Sequence, residues 1–69
     1  MEKWQERVIE EHAKLCERVI KLSDFMRGPE SHKLTNEYRC VLHQQLTAMT
    51  LYIDALDTRI KCFQKDTPE

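Results

Sequence analysis

His12 with Cys16 and Cys40 with His43 stand at i, i+4 and i, i+3 spacings, the separations at which one helix face presents two metal ligands. A tetrahedral zinc site would need both pairs to converge. On a wheel of about 100° per residue, however, Cys40 and His43 fall on the polar side of their segment, roughly opposite Met49 and Leu56, so the pairs diverge. Cys16 reads as a small apolar core residue, Cys40 and Cys62 as boundary residues, and no metal or other cofactor is expected. Covalent chemistry is equally unsupported. His12 has no Ser or Cys nucleophile with an orienting acid, Asp54 and Asp57 lie on an exposed side, and the single glycine, Gly28, rules out a Gly-rich phosphate loop. Enzymatic activity is therefore not expected. The residues left with chemical potential are Gln5, His12, Gln45 and Arg59, polar groups set within apolar arcs, where a side chain fixes register or helps to line a pocket.

Two helices must carry these groups. Trp4, Val8, Leu15, Val19, Leu22 and Met26 fall in one arc of the first, flanked by Ile9, Cys16 and Ile20. Glu10 with Lys14 and Glu17 with Lys21 lie on the opposite, charged face, which reads as solvated. The stretch from Arg27 to Lys33 is the one punctuated segment, with Gly28 suited to a left-handed helix end and Pro29 unable to continue the helix. Ser31 or Thr35 is suited to cap the helix that follows. In the second helix Leu34, Tyr38, Val41, Leu42, Ala48, Met49, Tyr52, Ile53, Leu56, Ile60 and Phe63 cover roughly half the cylinder.

The expected fold is all-α: one domain over residues 1–69, with a helix over about 3–26, a turn at 27–33, a helix over about 34–64 and a frayed tail at 65–69. So short a connection predicts an antiparallel, coiled-coil-like hairpin in which facing residue numbers add to about 60. Leu15 then faces Gln45, Val8 faces Tyr52, and Ile60 to Phe63 overhang the start of the first helix. Half a cylinder of apolar surface is more than one neighbour covers, so self-association into a helical bundle is expected as well. Trp4, Val8, Leu15, Val19, Leu22, Met49, Leu56 and Ile60 form the apolar seam of this reading. His12, Gln45, Tyr52, Arg59 and Phe63 are its interface or ligand-binding candidates.

Composition narrows the function classes. The chain has 69 residues, with 11 Lys and Arg against 12 Asp and Glu, 41% hydrophobic and 33% charged residues. It lacks the basic excess that marks nucleic-acid binding, so no nucleic-acid partner is expected. No run approaches the ~18 apolar residues of a membrane span, the N-terminus opens on Glu2, Lys3 and Trp4, and three cysteines cannot all pair within one chain. A soluble protein of a reducing cytoplasm is expected, with no membrane partner.

Several spaced residues resemble a known family. Gln5-x-Arg7-Val8, Glu11-x3-Leu15, Lys21-Leu22-x2-Phe25, Leu34, Leu42-x2-Gln45, Met49-x2-Tyr52 and Leu56-x2-Arg59-Ile60 resemble short helical-hairpin proteins of tailed phages and prophages, related to a small protein of a crAss-like phage. The segment from Arg27 to Lys33 departs from that pattern, lacking the second aromatic usual before the second helix. The resemblance implies an accessory phage or prophage protein of the bacterial cytoplasm that acts by stoichiometric binding. Three readings follow from it and from the expected surface. The first is an inhibitor of a host defence protein, docking through the Ile60 to Phe63 overhang. The second is a sponge for a nucleotide immune signal in pockets between subunits, with Arg59, His12, Lys33 and Arg39 as its cations. The third is a purely structural coiled-coil scaffold.

Overall fold

The computed structural model describes residues 1–65, with only the backbone of Lys65; the expected tail at 66–69 lies outside the described residues. Helix α1 runs Lys3–Arg27, a 3-10 helix spans Pro29–Lys33, and helix α2 runs Asn36–Lys65. The helices pack antiparallel as an all-α hairpin, a rod of 53 × 15 × 15 Å.

Each helix end has an identifiable cause. At the start of α1 the Glu2 amide donates to Gln5 Oε1 at 2.8 Å, so Gln5 acts as a capping side chain as well as a seam residue. At the end of α1 the Gly28 amide donates to the Phe25 carbonyl at 3.1 Å. Gly28 does not adopt the expected left-handed conformation: its φ of −83° and ψ of 169° are extended, and the chain turns through the 3-10 segment instead. Ser31 is the most buried polar residue of the described chain, and its hydroxyl donates to the Met26 carbonyl at 3.0 Å and the Gly28 carbonyl at 2.9 Å. The single hydroxyl proton is shared between the Met26 carbonyl, released by the end of α1, and the Gly28 carbonyl just beyond it. Thr35 caps α2, its Oγ1 accepting from the Tyr38 amide at 3.1 Å.

The seam between the helices is narrow. Val8, Leu15, Leu56 and Phe63 are buried together, with Met49, Ile53 and Ile60 packed against them. Val19 and Leu22 are half-buried, and Trp4 is 50% exposed.

The register differs from the expected one. Trp4 meets Phe63, Glu11 meets Tyr52 and His12 meets Asp57, so facing numbers add to 67, 63 and 69 instead of about 60. The physical reason is the connector: the 3-10 turn lengthens it and moves the start of α2 to Asn36. Neither Leu15 with Gln45 nor Val8 with Tyr52 is then a facing pair. The expected overhang disappears too. Phe63 is only 7% exposed and stacks edge-on against Trp4, with ring centroids 5.5 Å apart at 82°.

Candidate functional site

The seam leaves two unlike edges. On one, His12 Nε2 lies 3.8 Å from Asp57 Oδ1, and its Nδ1 is 3.9 Å from Cys16 Sγ. Asp57 also pairs with Lys61 at 3.1 Å, so the carboxylate on this edge already has a cationic partner. Cys40 and His43 are exposed, and among the described residues no group of three or more potential ligands is placed to hold a metal.

The other edge is a groove of about 320 Å³, near the lower end of the range for small-molecule sites. Arg7, Glu10, Glu11, Lys14, Leu15 and Arg18 of α1 line it, with Tyr52 of α2. The basic residues stand at i, i+7 and i+11, which stacks them along one stripe of α1. Lys14 is bound to Glu10 at 2.9 Å, and its ammonium holds the Glu10 carboxyl below the usual carboxylate range, first by hydrogen bonding and then by charge. Tyr52 reaches across the seam to donate its hydroxyl to Glu11, and that bond raises the phenol above its ordinary value. Arg7 and Arg18 form no ion pair with a described residue. Two guanidiniums lining one groove with a tyrosine suit a ligand with an anionic group and a flat face, since guanidinium binds phosphate or carboxylate in bidentate fashion.

The residues expected from the sequence to bind a ligand do not share this groove. Tyr52 lies in it, but His12 is on the opposite edge of the seam. Arg59 is exposed and borders a second, open hollow of about 280 Å³ with Trp4, Thr58, Cys62 and Phe63. Gln45 is exposed, its Nε2 3.9 Å from Met49 Sδ, and so lies outside the buried seam. Lys33 pairs with Glu30 at 3.4 Å, and half-buried Arg39 lies beside Met26, Ser31, Leu42 and His43 near the turn. Phe63 belongs to the core.

Arg7, Lys14 and Arg18 were the missed residues. Their i, i+7, i+11 spacing was readable, but it belonged to a face whose Glu and Lys pairs signalled ordinary solvation.

A family model described as Sequestin matches residues 2–62, most of the chain. The chain belongs to the Sequestin family. The Sequestin match spans both helices and the turn, and so includes every residue of the groove. Neither a curated protein nor a solved structure matches the chain. No described helix is long and apolar enough to cross a membrane.

Proposed function

We propose that the chain works without catalysis, by holding a small anionic ligand of the nucleotide class and so withdrawing it from solution. The observation that carries this reading is the groove, which Arg7 and Arg18, without an ion-pair partner among the described residues, line together with Tyr52. Guanidiniums recognise phosphate oxygens and an aromatic ring supports a base or sugar face, so the two together suit a phosphorylated nucleoside. The name of the Sequestin family supports a sequestering role. Resemblance to small phage and prophage proteins supports a setting in which the ligand is a nucleotide immune signal of the bacterial host.

The protein-inhibitor reading relied on an apolar overhang at Ile60 to Phe63, and Phe63 is instead committed to the seam. That leaves the groove as the better-founded site.

Native mass spectrometry after incubation with a bacterial nucleotide extract tests the proposal. The expected spectrum retains an added mass of a few hundred daltons, lost in an Arg7→Ala, Arg18→Ala double variant of unchanged helicity. A bare chain in the first spectrum, or full retention by the variant, would overturn it.

A further inference from the structure

The second helix carries a second stripe, exposed in the hairpin, of which only Tyr52 is tied to α1, through its hydroxyl to Glu11. Tyr38, Val41, Gln45, Ala48, Tyr52, Ala55, Arg59 and Cys62 recur at alternating steps of three and four along α2, and every one of them is exposed. This is a heptad seam of about seven turns, some 36 Å long at 1.5 Å per residue. It lies about 90° around α2 from the stripe packed on α1, the angle at which a helix of a four-helix bundle meets its two neighbours.

We propose that this stripe packs antiparallel against the same stripe of a second copy, in the register where facing residue numbers add to 100, giving a two-fold symmetric four-helix bundle.

The alternation of size selects both the occupant and the direction. One heptad position holds Tyr38, Gln45, Tyr52 and Arg59, all long; the other holds Val41, Ala48, Ala55 and Cys62, all small. Antiparallel packing brings unlike heptad positions together, so Tyr52 meets Ala48 of the second copy, Gln45 meets Ala55, Arg59 meets Val41 and Tyr38 meets Cys62. Each layer pairs a large side chain with a small one, and a two-fold axis repeats the fit on both sides. A parallel pair would instead stack Tyr on Tyr and Arg on Arg, and leave holes between alanines. Charge points the same way. Glu37 flanks one end of the stripe and Arg59 lies near the other, so antiparallel packing sets Arg59 beside Glu37 of the second copy at both ends, whereas parallel packing juxtaposes like charges. Leu51, 65% exposed, flanks the stripe next to the two-fold axis, where it meets its own symmetry copy.

The inference does not depend on what the groove binds, so failure of the nucleotide test leaves it standing. Sedimentation equilibrium of the full chain without ligand is expected to give twice the 8.3 kDa chain mass. Ala48→Glu is expected to give one chain mass with unchanged helical circular dichroism, because position 48 is exposed within each hairpin. Direction is tested with Tyr38→Cys in a Cys16→Ser, Cys40→Ser background treated with a short bismaleimide, which is expected to link position 38 to Cys62 of the other copy. A monomeric parent chain, an Ala48→Glu variant that remains dimeric, or links joining 62 to 62 would each overturn the proposal.

Discussion

Trp4 and Phe63 close the open end of the hairpin edge to face, 59 positions apart in the chain, with centroids 5.5 Å apart. Phe63 is nearly fully buried, whereas Trp4 keeps half its surface in water. The pair anchors the last turn of α2 to the first turn of α1, so a residue suited by sequence to docking is instead part of what holds the chain together. Phe63→Ala is expected to cost about 3–5 kcal/mol, a large share of the ~3–10 kcal/mol available to a domain of this size. Chemical denaturation checks this, and a two-state loss below about 1 kcal/mol would contradict the packing.

Gly28 leads to an expectation opposite to that of a helix-ending glycine. Its backbone is extended, and a Cβ there would meet the Asp24 and Phe25 carbonyl oxygens at 3.5 Å, an ordinary contact. Gly28→Ala should therefore raise stability by about 0.4–1 kcal/mol, through lower entropy of the unfolded chain. A rise in thermal midpoint is the readout; a fall would place the residue at positive φ.

Ser31 contrasts with its neighbour. Replacing it with Ala removes a hydroxyl that serves two carbonyls at a buried position, with an expected loss of about 1–3 kcal/mol. Thr35→Ala, which removes an exposed cap, should cost about 1 kcal/mol. Comparing the two melting curves separates a buried clamp from an ordinary cap.

Tyr52 ties the groove to pH. Its hydroxyl donates to Glu11, which favours the neutral phenol and raises its ionisation above the ordinary 10. Because the folded value lies above the unfolded one, this contact stabilises fully below pH 10 and is lost as pH rises through the folded value. In a Tyr38→Phe background, the phenolate absorbance should rise later in the folded chain than in denaturant. Glu11→Gln should bring the transition back towards 10, and an unmoved curve would count against the contact.

Much of the fold was legible because an apolar residue every three or four positions admits few alternatives. Val8, Leu15, Leu56 and Phe63 all fall in the expected arcs, and all four are buried. What could not be read was the offset between the arcs. That depended on whether Pro29–Lys33 formed a bare turn or a turn of 3-10 helix, and five residues with one proline are compatible with either. An error of about six in the facing numbers turned an anchored aromatic into an overhang. The groove was less legible still. Arg7 and Arg18 come to line one groove with Tyr52 only through the register, so no pattern within α1 alone distinguishes them from solvated charges.

The Ser31 clamp also bears on the order in which the hairpin assembles. It joins groups three and five residues apart, whereas the Trp4 and Phe63 contact closes a loop of nearly the whole chain. Loop-closure entropy grows with the length closed, so the turn is the low-cost nucleus, and the helices zip from it towards the aromatic end. Unzipping runs the other way. Early opening frees Trp4 and Phe63 first, then reaches the contact between Glu11 and Tyr52, so the groove comes apart while the turn is still clamped.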